Sequence, residues 1–401
     1  MLKWPKLDQS APGKLVDTSG TEWLPRVSSK PIHFQGPAYF PDSLPGRIDK
    51  KALIGTIWSE VEAATSSLAG LNGAAGALPN PYLLANPFRI REAQASSRIE
   101  NTVASAEEVA LADAGELGRD ESMEVRNNLV ALEWGLSSER PITQSLVKAM
   151  HQSLLSDGVR GSEKTPGAYR RSQAYISGDQ RGFDHARFVP PPAEHVQSSM
   201  DSLFDFITTS REVFPAVVSA AIVHYQFETI HPFSDGNGRV GRMMILIELN
   251  RAGLLARPMI DISSFFDRFR DDYYDLLLAV SLEGKWADWI QFFCRGLAHQ
   301  AQDAEKRAKR LLDLRRSYID RVTEPRASAL LRECVDYLFS RPAVRASDLA
   351  QHLDVLPQAA QRHLNRLVEK GILFEITGRS SRRIYVAKEI IAAIEQNFDE
   401  D

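Results

Sequence analysis

The chain is poor in residues that cross-link or anchor a protein. Its 401 residues hold two cysteines, Cys294 and Cys334, both inside apolar patterns of helical spacing, which argues against a disulfide framework or a zinc site. No apolar run approaches the roughly 18 residues a membrane span needs. The opening MLKWPKLDQS has a lysine pair but neither the apolar stretch nor the small-residue cleavage site of a secretory signal. A soluble, cytoplasmic protein with no membrane partner is expected. Glycine (24) and proline (21) are near average, so collagen-like and broadly disordered chains are excluded. A net charge of −4 leaves room for a local basic patch only, not for wrapping nucleic acid along the whole length. The GxxxxGK[ST] phosphate loop is missing as well. What is present, 43% hydrophobic and 25% charged residues, is enough for an ordinary globular core in two or three domains.

Periodicity organises the chain. Residues 1–50 carry much of the proline and glycine and predict an irregular arm. Helical spacing starts at Asp49 with Leu53, Ile57, Val61 and Ala64, breaks at Gly70–Pro81 and resumes near Phe88. Helices are then expected near 106–114, 122–137, 142–155, 193–210, 214–230, 238–253, 270–281 and 286–300. One departure is Ala174–Val189, which predicts a hairpin or extended flap. The Lys/Arg-rich residues 301–324 predict a solvated connecting helix. Residues 325–401 read as three short helices followed by two strands, the order of a winged helix. The expected organisation is thus an arm (1–50), an N-terminal helical region (51–120), a catalytic domain (121–300), a linker helix (301–324) and a winged-helix domain (325–401).

The informative segment is His231–Arg242, HPFSDGNGRVGR, between two apolar helical stretches. Its Asp235-Gly236-Asn237-Gly238 turn opens a helix, where free backbone N–H groups and the positive helix end favour an anion. Arg239 and Arg242, three apart, project to nearly the same side and can clamp phosphate oxygens with forked donors. Asp235 can hold a hard cation such as Mg²⁺, and His231 has the pKa range of a general base. Together these residues describe a nucleotide-phosphate site.

This segment resembles the Fic family signature HPFx[D/E]GNGRxxR at all nine specified positions. The resemblance implies a mostly α-helical fold and AMPylation, in which AMP passes from ATP to a Ser, Thr or Tyr hydroxyl of a target protein. It implies His231 as base, Asp235 as Mg²⁺ ligand, and Gly236, Asn237, Gly238, Arg239, Val240, Gly241 and Arg242 as the ATP-binding run, with Phe233 anchoring the loop. Thr165–Arg170 through Val189–Pro192 resembles the family's flap, which registers the target by strand addition. Tyr273 and Tyr274 resemble a tyrosine pair lining the adenine pocket, although core-edge packing explains two helical tyrosines equally well. Ser96–Asn101, SSRIEN, resembles the inhibitory motif [S/T]xxxE[G/N]; the resemblance implies that Glu100, with Ser96, pairs with Arg242 and blocks the γ-phosphate. The same residues fit a capping box from Ser97 to Glu100.

In the C-terminal region Gln358, Gln361, Arg362, Asn365 and Arg366 give the third helix a polar face, and Arg379, Arg382 and Arg383 stand at the wing tip. Residues 341–383 hold eight Lys/Arg against four Asp/Glu, a modest surplus that leaves both DNA and protein docking open. Two functional classes follow: an adenylyltransferase with a docking module, or a DNA-binding regulator carrying a Fic unit. Removal of AMP, transfer of another phosphate-containing group, self-modification and a homodimer also stay open.

Overall fold

The computed structural model describes residues 6–22, 30–76, 82–116, 118–138, 140–156, 158–176, 182–256, 258–323 and 329–396. They are mostly helical: α1 (Lys50–Gly76), α2 (Tyr82–Ile99), α3 (Ala106–Asp113), α4 (Asp120–Ser137), α5 (Gln144–Leu154), α6 (Val196–Val213), α7 (Ala216–Ile230), α8 (Asn237–Arg251), α9 (Ile262–Arg268), α10 (Arg270–Glu283), α11 (Trp286–Val322), α12 (Ala329–Ser340), α13 (Ala346–Leu353), α14 (Pro357–Glu369) and α15 (Lys388–Glu395). Five strands complete the set: β1 (Gly13–Glu22), β2 (Ile32–Pro41), β3 (Ala343–Val344), β4 (Phe374–Glu375) and β5 (Tyr385–Val386). Two compact units result. One takes Met1–Ser66, Trp134–Leu254 and Arg268–Leu297; the other takes Ser67–Glu133, Leu255–Asp267 and Ala298–Asp401.

The first unit is built around α7. Nearly every residue from Val217 to Ile230 is buried, so this helix is apolar on all sides rather than along one stripe. Packed beside it, α8 is buried from Val240 to Leu249. Gly241 lets the two helices approach, since a Cβ there would run into Glu228 and Phe227 of α7. Trp289 of α11, fully buried, donates its indole N–H to the Ala221 carbonyl at 3.0 Å.

The stretch expected to be an irregular arm instead forms a ten-residue antiparallel ribbon, with Gly13 opposite Pro41 and Glu22 opposite Ile32. Its glycines and prolines hid the alternation. An isolated ribbon of two strands is marginal in water, and here long-range packing supplies the support. Ala38, Phe183 and Val189 make one buried cluster, joined by Val16, Phe34, Tyr175 and Ala186. Phe34 stacks on Phe183 with centroids 4.3 Å apart, and Tyr39 donates its N–H to the Val189 carbonyl at 2.9 Å. Residues 174–189 pair through one antiparallel bridge, Ile176 with Phe188. Residues 177–181 of this expected flap lie outside the described residues.

In the second unit α12, α13, α14, β4 and β5 come in the order expected, while β3 before α13 and α15 after β5 are additions; the three strands form an antiparallel sheet of order β3-β5-β4. The connecting helix is not separate: α11 runs unbroken to Val322. Its C-terminal half buries Ala301, Ala304, Arg307, Ala308, Leu311 and Tyr318 on one stripe, so it is amphipathic rather than solvated all round. Asn86 donates to the Ser340 carbonyl and Arg91 to the Ile394 carbonyl at 2.9 Å, so α2 is fastened to α12 and α15. Both cysteines are buried and unpaired in disulfide terms, Cys294 in the first unit and Cys334 in the second.

One buried acid makes the first unit's stability depend on pH. Glu248 of α8 is 4% exposed, and burial pushes its carboxyl up to about 7 against the opposing charge of Arg211. In the unfolded chain it ionises near 4.5, so between that value and about 7 the folded state holds the extra proton and stability falls as pH rises. A rise from 4.5 to about 7 corresponds to roughly 3 kcal/mol at about 1.36 kcal/mol per pH unit. Glu248→Gln is therefore expected to gain on the wild type by that order between pH 4.5 and 8. Denaturant unfolding at the two pH values checks it; a constant difference would remove Glu248 as the cause.

Candidate active site

The loop between α7 and α8 assembles the signature residues. Helix α7 ends because His231 takes the left-handed conformation (φ 50°, ψ 62°) and Pro232 cannot continue it. This is unusual for a residue other than glycine and costs about 1–2 kcal/mol. The turn that follows fixes itself. Asn237 reciprocates with Phe233, accepting from its N–H at 2.8 Å and donating to its carbonyl at 2.9 Å. Gly236, with φ 76°, caps α8, and an added Cβ would meet Leu154 at 3.1 Å. The first N–H groups of α8 then lack intrahelical acceptors, which makes this end an anion site.

Charge surrounds that end. The Asp235 carboxylate accepts from the Gly236 N–H at 2.7 Å, from Lys164 Nζ at 3.1 Å and from Arg239 at 3.4 Å. Burial works to raise its pKa, but Lys164, Arg239 and the Gly236 amide outweigh burial and hold the carboxyl below its ordinary value. An ionised, partly exposed carboxylate whose partner is a flexible, exposed lysine suits a cation shared with substrate phosphates. Among the described residues no cluster of three or more His, Cys, Asp or Glu could cage a metal alone. Arg239 and Arg242 are each 1% exposed. Val240 is fully buried and Gly241 faces α7, so both serve the packing of the two helices.

The two tyrosines part company. Tyr274 lines an open, largely apolar cleft with Ile176, Arg187, Phe188, Glu228 and Leu277. Tyr273 lies fully buried beneath, its hydroxyl 2.8 Å from His224 Nε2 and hydrogen-bonded to Arg242. Burial first, and the Arg242 charge next, push His224 down to about 3, so its ring is neutral. Tyr273 thus orients the Arg242 guanidinium.

Ser96 and Glu100 belong to the second unit. Ser96 is buried, and the segment ends α2 instead of starting a helix: Glu100 N–H donates to the Ser97 carbonyl, and Asn101 is left-handed at φ 62°. A capping box at Ser97–Glu100 is therefore ruled out by geometry; the box forms eight residues on, between Ser105 and Glu108. Arg98, inside the motif, pairs with Asp267 at 2.8 Å.

Two residues had no place in the sequence reading of the site. His151 of α5 stacks on Phe233 with centroids 3.8 Å apart and 5° between planes. Its Nδ1 accepts from the Gly167 N–H at 2.8 Å, which leaves Nε2, 3.0 Å from the Asp235 carbonyl, to donate. Burial pushes its pKa down to about 4, consistent with this neutral tautomer. The signal was a histidine on the apolar stripe of Val147, Met150 and Leu154. Arg170, which the sequence reading placed only at the end of the Thr165–Arg170 flap match, is buried behind His231, next to an exposed Arg171.

Comparison with known proteins fits this geometry. Residues 141–249 match the Fic/DOC family and residues 58–137 match the Fic/DOC family N-terminal region. The chain is 30% identical over 182 residues to a protein adenylyltransferase Fic of Nematostella vectensis, covering 45% of this chain and 36% of that protein. It is 32% identical over 154 residues to the protein adenylyltransferase Fic of Aedes aegypti, covering 38% and 27%. The chain thus spans about a third of the length of the curated relatives it matches. A Fic family protein from Desulfovibrio desulfuricans shares the fold, with a TM-score of 0.53, 23% identity, and coverage of 82% of this chain and 95% of that one. This is a helical protein whose central loop has the Fic architecture. Residues 141–249 form a Fic/DOC domain, preceded at 58–137 by the family's N-terminal region.

His151→Phe keeps the ring stack but removes both hydrogen bonds, leaving the Gly167 N–H and the Asp235 carbonyl without them. A loss of about 1–3 kcal/mol in unfolding free energy is expected. Urea unfolding with an unchanged m-value measures it; wild-type stability would mean the two groups find other partners.

Proposed function

We propose that this protein transfers AMP from ATP to a Ser, Thr or Tyr hydroxyl of a target protein. The observation that carries the reading is the juxtaposition, in one loop, of a left-handed His231, the ionised Asp235 and the N-terminal turn of α8. The His231 imidazole would take the proton of the incoming hydroxyl, whose oxygen attacks the α-phosphorus as pyrophosphate leaves. Amides from Gly236 to Gly238, with Arg239 and Arg242, would hold the phosphate oxygens as charge shifts onto the leaving group. Asp235 would hold Mg²⁺, which supplies charge neutralisation on the phosphates when bound, and Lys164 would yield its place on that carboxylate. The apolar cleft beside Tyr274 suits the faces of a purine, and residues 174–189 would register the target. Self-modification follows the same chemistry.

Restraint belongs to the same reading. Glu100, at the end of α2, would pair with Arg242 and occupy the space of a γ-phosphate oxygen, with Ser96 holding the turn. The C-terminal winged-helix topology is read as a docking module for a partner protein. Its wing arginine Arg379 is already engaged with Glu116 at 2.6 and 3.0 Å, which weakens a duplex-binding role for the wing.

His231→Ala is expected to lower AMP transfer by about 10²–10⁴-fold while ATP affinity, held by other groups, stays nearly constant. Labelling with radioactive ATP beside calorimetric ATP titration tests this, and undiminished labelling removes His231 from the mechanism. Glu100→Gly is expected to raise labelling well above the wild type. Equal rates at equal folded fraction would sink the inhibitory role.

A further inference from the structure

Arg170 is 3% exposed, and its guanidinium is spent on backbone carbonyls. Nε donates to His231 O at 2.8 Å, Nη2 to Pro191 O at 2.6 Å and to Ile230 O at 3.3 Å, and Nη1 to Ser172 O at 3.1 Å. Its own N–H donates to Pro232 O at 2.8 Å. These acceptors come from two places. Ile230 and His231 are the end of α7, where carbonyls are orphaned and a cation is favoured. Ser172 and Pro191 are the two feet of the segment 174–189. Burial pulls the guanidinium down to about 10 against the charge of Glu194, so it remains protonated at neutral pH.

Resting on the adenylyl-transfer reading, we propose that Arg170 is a positioning residue that fixes both feet of the target-registering segment to the backbone of His231. A hydroxyl aligned along residues 174–189 is useful only if that segment keeps a constant distance from the base. One guanidinium sets that distance, because its donors lie in a single rigid plane and bridge the two parts. It also stabilises the left-handed turn at His231 by donating to that residue's carbonyl. Lysine keeps the charge but offers no fork, so it cannot hold four carbonyls in one plane. The guanidinium's four carbonyl acceptors include neither Asp235 nor any residue at the start of α8, so nucleotide binding should be independent of it.

The test compares Arg170→Lys with its parent, both in a Glu100→Gly background, using labelled ATP and self-labelling as the probe. Transfer is expected to fall by about 10²-fold, as a misplacement near 1 Å would cause, while ATP affinity changes less than about twofold. Amide hydrogen exchange, which needs no activity, is read on the same proteins. Exchange at Ile176, Phe188 and Tyr39 should quicken, and exchange at Val240 should not. Unchanged exchange at the first three amides overturns the brace. Faster exchange with unchanged transfer, or ATP affinity falling in step with transfer, overturns the positioning role. If the parent does not label at all, the adenylyl-transfer reading fails, and exchange still decides the brace. Arg170→Gln replaces the lysine variant if that one does not fold; if neither folds, Arg170 is part of the fold alone and the proposal is lost.

Discussion

The structure turns on a histidine that must break a helix in the left-handed sense at the end of a fully buried α7. A glycine would do this at little cost, but it carries no imidazole. The surroundings make the conformation hold: Pro232 forbids continuation, Arg170 gathers the two last carbonyls, and Asn237 locks the backbone of Phe233 from the next helix. Because both flanking helices are buried, the loop inherits their rigidity. The His231 imidazole and the N-terminal turn of α8 then keep a fixed relation without any ligand to organise them, as electrostatic preorganisation requires.

The same economy runs through the rest of the first unit. His151 stacks on Phe233 and donates to the Asp235 carbonyl, and Tyr273 holds Arg242 from within the core. The N-terminal ribbon, by packing Phe34 and Ala38 on Phe183 and Val189, steadies residues 174–189 from the side opposite α10, where Arg187 pairs with Asp275. Residues that hold the site are thus more numerous than those that would touch a substrate.

That division explains what the sequence revealed. The HPFSDGNGRVGR run was legible because a base, a carboxylate, an amide turn and two arginines must follow one another at fixed spacing along one loop. Helices of α5–α8 were legible from their apolar periodicity. The ribbon was not, since Pro37 and Gly36 interrupt its alternation and its support lies about 150 residues further on. Arg170 and His151 escaped for a like reason: their partners lie 61 and 84 residues away. The buried stripe of α11 beyond residue 300 was masked by its charge, because Lys and Arg outnumber the apolar residues that carry the packing. Arg307 shows why charge count misleads, being wholly buried while donating to the carbonyls of Ala393, Ile394 and Gln396.

The two cysteines give each unit its own reporter. Burial pushes the thiols of Cys294 and Cys334 up to about 12, so in the folded chain neither supplies thiolate or access to an alkylating reagent. With only these two in the sequence, every adduct maps to one unit without mutagenesis. Alkylation in native buffer therefore clocks opening events: adducts at Cys334 time the unit that contains α2, and adducts at Cys294 time the unit that contains His231. A signal that loosened α2 while sparing the unit that contains His231 would be written into the ratio of the two.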